Sequence, residues 1–295
     1  MFYLFPLLTV CIWAGNAIVN KLSYSVIDPG AISFYRWFFA MAVLTPFVLP
    51  SVWRNREKIK PHLSKLAFLA LLGMVLNQSL GYFAAITTTA TNMALIMSLV
   101  PLLSMFLSVP LLGKRMTPIA TIGAVISFCG LVLMLSHGNI ANLVSQGITQ
   151  GDGLLLIAAS VYALYCVLLK RWRMPLSNWQ SVYVQGVFAV IMLLPMLLTS
   201  ERMAITSESL PLIAYAAIPA SVIAPWCWLK GIEILGADRT AMFMNLMPVI
   251  TAIIASITLG EQLAIYHYIG GGMVLAGVYL AQRKPKLEVD RAVTA

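Results

Sequence analysis

Charge is what this chain has least of. Of 295 residues, 19 are Lys or Arg and 10 are Asp or Glu, 10% in all, against roughly 25% in soluble domains. So few charges cannot supply the polar shell a soluble fold of this length needs, and a charge-rich disordered chain is excluded with it. Histidine occurs only at His62, His137 and His267, far apart in sequence. The four cysteines, Cys11, Cys129, Cys166 and Cys227, lie in separate apolar segments with no CxxC or Cys/His spacing. These absences leave no disulfide framework and no metal-ligand set, and the cysteines read as packing residues. No Asp/Glu/His constellation falls inside an apolar segment, and no ATP-binding motif is present. The longest loop, about Ser51 to Ser64, is too small for a soluble active site. No catalytic group, metal or cofactor is expected.

What is abundant is apolar: 60% of the residues are of the types AVILMFWYC, and the mean hydropathy is +0.89. That leaves a polytopic membrane protein, with the lipid bilayer as its main partner. The net charge of +9 does not point to nucleic acid, because the basic residues sit between apolar runs rather than on one face. Residues 1–20 have no basic n-region and are long enough to span, which predicts a first transmembrane helix rather than a cleaved signal.

Windows free of charge give ten predicted helices, near 3–22, 31–50, 65–86, 92–112, 117–135, 153–170, 179–199, 210–230, 240–259 and 264–282, each close to the ~20 residues a helix needs to cross the hydrocarbon layer. The long window 66–113 must hold two of them, broken near Thr87-Thr88-Thr89-Ala90-Thr91-Asn92. With the N-terminus in the cytoplasm, 16 of the 19 basic residues fall inside, and only Lys21, Arg36 and Arg202 fall outside. The positive-inside rule therefore predicts a multi-pass protein of the plasma (cytoplasmic) membrane with both termini cytoplasmic.

The two halves resemble each other. At an offset of 147, Pro101 aligns with Pro248, Leu112-Gly113-Lys114 with Leu259-Gly260-Glu261, Ala94 with Ala241, Gly123 with Gly270 and Gly130 with Gly277. At an offset of 149, Trp13-Ala14 aligns with Tyr162-Ala163, Lys21 with Lys170 and Ala40 with Ala189. Five helices per repeat is an odd number, so the repeats must lie in opposite orientations. The expected fold is all-α integral membrane, ten transmembrane helices as two inverted five-helix repeats. The segments are 1–136, 150–283 and a cytoplasmic tail 284–295. Inverted repeats let one central site face either side in turn, the architecture of secondary transporters.

Trp13-Ala14-Gly15-Asn16, Lys21, Pro29, Arg36, Pro101 and Leu112-Gly113-Lys114 in the first half carry a family likeness. So do Ala237-Asp238-Arg239-Thr240-Ala241, Pro248 and Leu259-Gly260-Glu261 in the second. Over nearly its whole length the chain resembles the EamA-type families of the drug/metabolite transporter superfamily, with two tandem EamA domains. The resemblance implies a cavity lined by helices 1, 3, 4, 6, 8 and 9, a small-molecule substrate such as an amino acid, another metabolite or a drug, and export as the common direction. One departure is Lys114 where the second half has Glu261.

Candidate lining residues follow from helical spacing. Trp13, Asn16 and Asn20 share a face of helix 1, where amides need partners or water; they line a cavity or only bond helices together. Tyr162 and Tyr165 share a face of helix 6, Tyr162 near the bilayer middle, too deep for an aromatic belt. Gln78 and Tyr82 share a face of helix 3, with lining and packing equally open. Ser98 and Asn245 each precede a proline by three residues, so Pro101 and Pro248 leave the carbonyls of Met97 and Met244 unpaired, at a substrate site, a hinge or a plain kink. Of Trp226 and Trp228 at most one faces the cavity, and Trp228 is the candidate. Pro219 and Pro225 predict a bend in that helix.

Arg36 is read as structural or gating rather than substrate-binding, and Lys230 with Glu233 as a gate or an interface marker. Gly270-Gly271-Gly272 and Gly277 allow close helix approach, within a monomer or at the seam of a homodimer. No buried Asp or Glu is expected as a proton relay, which favours facilitated export, or antiport with an unnamed proton site. The aromatic, Met-rich candidate cavity suits a partly apolar zwitterion. A membrane-embedded lipid-modifying enzyme is the less favoured alternative.

Overall fold

A computed structural model describes residues 3–113, 116–139 and 148–282; Lys114, Arg115 and the expected tail 284–295 lie outside the described residues. Among these there are ten helices and no strand. They are α1 (Leu4–Ser23), α2 (Pro29–Arg54), α3 (Arg56–Ala84), α4 (Ala90–Leu112), α5 (Pro118–Leu135), α6 (Gln150–Trp172), α7 (Asn178–Leu198), α8 (Ser209–Leu235), α9 (Thr240–Thr258) and α10 (Ile265–Gln282). The first nine are long and apolar enough to cross a membrane. In α10, His267, three tyrosines and four glycines dilute the apolar character of 18 residues.

Sequence sets the helix starts. Thr89, Thr117, Thr149 and Ser177 are extended residues whose hydroxyls accept from the amides of Asn92, Ala120, Asp152 and Gln180, each three residues on, satisfying donors that have no partner inside a helix. Three helices, α2, α3 and α8, run well past their expected bounds. The predicted loop Ser51–Ser64 is largely helical, since α2 runs to Arg54 and α3 begins at Arg56; α8 continues past Lys230 to Leu235. Charge-free windows mark only what lies in hydrocarbon, and a helix can extend beyond it with exposed charges such as Arg56, Lys58 and Lys60.

The two halves are related by a pseudo-two-fold, and the α5–α10 seam displays it. Gly123 packs on the backbone of Gly277 and Ala281, and Gly130 on that of Gly270 and Val274. Gly123 and Gly270 are repeat partners, as are Gly130 and Gly277, so each of these glycine contacts is the image of the other. Midway between them the Ser127 hydroxyl donates to the Val274 carbonyl at 3.0 Å. Those two residues are themselves 147 apart, so that contact maps onto itself and marks the axis.

A second symmetric feature lies in α3 and α8. Each widens into a π-helical stretch, at Leu71–Leu76 and Pro219–Ile223, and the two starts are 148 residues apart. In α8 Pro219 has no amide to give the Tyr215 carbonyl four residues earlier, and in the same turn the Ser221 hydroxyl donates to the Ala216 carbonyl at 2.8 Å. The widened stretch of α3 holds no proline, and the Met74 carbonyl there accepts the Trp37 indole at 3.2 Å. Such bulges cluster at functional sites.

Candidate functional site

The widened turn of α8 gathers a polar and aromatic cluster from four helices. The Arg36 guanidinium, on α2, donates through Nε to Ser221 Oγ at 2.8 Å and through Nη1 to Gln78 Oε1 at 2.9 Å and Tyr82 OH at 3.5 Å. One residue before Ser221, the Ala220 carbonyl accepts the Trp13 indole at 3.1 Å. Trp13 in turn packs on Trp228, ring centroids 5.7 Å apart. Arg36 is only 4% exposed and Tyr82 1%, while Trp13, Gln78 and Trp228 are half-buried. Arg36 thus points into the bundle and bonds directly to two residues nominated as cavity lining, instead of reaching outward to the interface. Trp226 faces away at 44% exposure, edge-on to Phe5.

The other nominated residues form separate groups. Tyr162 and Tyr165 stack at 5.4 Å, with the Tyr165 ring against Gly73 in the widened turn of α3. Asn16 donates to Asn20 at 3.3 Å, and its own Oδ1 is buried without a partner. Asn20 is buried near Gly81 of α3. Helix α4 breaks at Ser98 and Leu99, just before Pro101. Helix α9 tightens into a 3-10 turn over Phe243–Leu246, which carries Met244 and Asn245, just before Pro248. The Ser98 hydroxyl is occupied by the Leu95 carbonyl at 2.6 Å, and Met97 packs on the apolar cluster formed mainly by α4, α5 and α10. Lys230 and Glu233 pair at 2.7 Å within one helix, and that pair ties no two elements together.

The end of the bundle where α1 finishes is held by contacts that sequence reasoning missed. The turn between α3 and α4 is bonded to three other elements. Lys21 Nζ donates to the carbonyls of Ala85 and Thr88, both at 2.7 Å. Glu261 accepts from the amides of Ala90 at 2.7 Å and Thr91 at 3.1 Å, and from the Thr91 hydroxyl at 2.8 Å, placing a carboxylate at the positive start of α4.

Asp152 accepts from Thr88, from Thr149 at 2.7 Å and from Asn92 at 3.5 Å. Asp152 is 2% exposed, which corrects the expectation that no buried carboxylate is available. It lies in the first turn of α6, just before the expected start at 153; the Thr149-x-x-Asp152 capping pattern was the available signal. At the same end Arg202 and Asp28 pair at 3.0 Å. Burial alone would raise the Asp28 pKa, but the Arg202 and Glu201 amides and the Arg202 guanidinium outweigh it and hold the carboxyl below its ordinary value.

A cavity of 720 Å³ opens elsewhere, among α2, α7 and α8, lined by Leu44, Val48, Trp179, Gln180, Val222 and Trp226. None of the nominated lining residues borders it. Its wall includes the exposed Phe47 and Ile223, which places it on the flank of the bundle.

Comparison with known proteins covers nearly the whole chain. It is 29% identical over 283 residues to "Uncharacterized transporter YyaM" of Bacillus subtilis (strain 168), across 93% of this chain and 92% of that one. An "Uncharacterized transporter" of Archaeoglobus fulgidus is 29% identical across 94% and 96%. "WAT1-related protein At2g40900" of Arabidopsis thaliana is 25% identical across 92% and 76%. A protein of known crystal structure, 17% identical, superposes with a TM-score of 0.61 over 98% of this chain and 99% of that one, which shows a common fold. Residues 1–136 and 149–282 each match the EamA-like transporter family, and the chain belongs to that family of membrane transporters.

Proposed function

We propose that this transporter exports amino acids or related small metabolites across the plasma membrane by alternating access through a central cavity, with both termini cytoplasmic. The observation that carries the alternating-access reading is the symmetric α5–α10 seam, since two inverted halves of one fold can exchange conformations about a fixed site. Support for the orientation comes from the basic residues outside the α1-C end. Support for a state closed on the outer side comes from Lys21, Asp152 and Glu261, which join α1, α6 and the α9–α10 link to one turn. Near the middle of the bundle, the aromatic pairs Trp13–Trp228 and Tyr162–Tyr165 pack beside the widened turns of α8 and α3, where an apolar part of a substrate can lie.

The test is efflux from cells expressing the protein, each culture preloaded with one labelled amino acid, beside a Tyr162→Ala variant. Selective efflux of one class, weakened in the variant, is the expected result. No efflux of any amino acid above the vector control would refute amino acid export. Loss of flux on collapsing the proton gradient alone would refute facilitated export in favour of antiport.

A further inference from the structure

The interior charge of Arg36 has no counter-charge among the described residues. The guanidinium sits seven residues past the start of α2, about 10 Å along the helix, and is 4% exposed. All three of its hydrogen-bond partners, Ser221, Gln78 and Tyr82, are neutral, as is the Trp37 ring 5.9 Å away, and its Nη2 has no hydrogen-bond partner among the described residues. The ion pairs among the described residues are Arg56–Glu57, Lys60–Glu57, Arg202–Asp28 and Lys230–Glu233, none of which reaches it. The buried Asp152 is held by Thr88, Thr149 and Asn92 instead. A charge inside a membrane bundle is costly unless paired, and marks function by default.

The fold itself does not require that charge. At the repeat offset of 149 that aligns Ala40 with Ala189, Arg36 corresponds to Gln185, which is also fully buried. Two halves of one fold therefore carry a cation and a neutral amide at the same place. A brace that only joined α2 to α8 would be served by either.

We propose that Arg36, with Gln78 beside it, binds the carboxylate of a small substrate whose flat apolar part lies on Trp13 and Trp228. The inference rests on the transport reading above and narrows it to solutes that carry a carboxylate. Guanidinium is the side chain best matched to that group, because its fork can offer two parallel N–H donors. Gln78 is half-buried, so the arginine stands one side chain behind an open wall. The Trp13 indole reaches the same turn of α8 through the adjacent Ala220 carbonyl, and Trp228 packs on Trp13.

The test uses the full chain purified in detergent and four probes that share a phenyl ring: 3-phenylpropionate, L-phenylalanine, L-phenylalaninamide and 2-phenylethylamine. Binding is read by titration calorimetry. The two carboxylates are expected to bind at least about tenfold more tightly than the two cations, the scale of one charge-assisted contact. Gln78→Glu places a carboxylate on the guanidinium from within; it should weaken 3-phenylpropionate by about tenfold or more while the melting temperature holds or rises. Arg36→Lys should keep the preference for carboxylates at reduced affinity. Cations binding as tightly as acids, no binding of either acid, or Gln78→Glu leaving 3-phenylpropionate unaffected would each overturn the inference. Flux is measured separately in proteoliposomes. Carboxylate binding without flux would keep the site and remove the transport reading, and flux of a cation indifferent to Gln78→Glu would do the reverse.

Discussion

Alanine at Gly123 and alanine at Gly272 should have opposite effects, although both substitute a glycine in one pair of helices. A Cβ on Gly123 would lie 2.5 Å from the Gly277 carbonyl oxygen and 2.6 Å from the Ala281 amide nitrogen. Carbon–oxygen contacts between close helices sit near 3.3–3.6 Å, so α5 and α10 would have to part by roughly 1 Å. Both obstacles are backbone, which cannot swing aside as a side chain can. Separation would also stretch the Ser127–Val274 hydrogen bond on the pseudo-two-fold axis. Overpacking of this kind costs about 1–3 kcal/mol.

A Cβ on Gly272 would meet nothing within 4 Å. There alanine should be neutral or stabilising by about 0.5–1 kcal/mol, because glycine is a poor helix former. The assay is thermal unfolding of the purified protein in detergent, followed by tryptophan fluorescence. Gly123→Ala should melt below wild type and Gly272→Ala at or above it. If Gly272→Ala lowers the melting temperature as much as Gly123→Ala, that face of α10 is packed on something beyond the monomer, such as a second copy, and the reasoning fails.

Other perturbations test the polar contacts. Glu261→Ala should destabilise by about 1–2 kcal/mol, the scale of an N-terminal cap, and Glu261→Gln by less because it keeps one acceptor oxygen; equal unfolding midpoints in denaturant would show that the carboxylate does not cap α4. Ser221→Ala removes the acceptor for Arg36 Nε in a buried setting and should cost about 1–3 kcal/mol, read as a lower melting temperature.

Asp28 has a folded pKa below its unfolded value, so the stability it contributes is fully present above the ordinary 3.8 and is lost as pH falls through the lower folded value. Melting temperatures of wild type and Asp28→Asn should therefore differ most near neutral pH and converge in acid. A gap that stays constant with pH would contradict the pairing with Arg202.

Composition alone decides which segments enter a membrane, because hydrocarbon thickness and polarity act on each segment separately. That is why the spans, the break at Thr87–Asn92, the odd helix count of each half and the inverted halves could be read from residues in a row. The same residues named Trp13, Gln78 and Tyr82 as inward-facing, since helical period assigns a face. Which face meets which neighbour depends on how each helix is rotated and packed, and no local rule carries that. Arg36 finds Gln78 and Ser221 at separations of 42 and 185 residues, and Glu261 caps a helix that begins 171 residues earlier. Asp152 is buried because Thr88 of the α3–α4 turn and Asn92 of α4 pack against it. The widened turn in α3 has no proline to announce it. Sequence determined the number of crossings and their symmetry; only the packed bundle decided that the arginine points inward with no acid among the described residues to meet it.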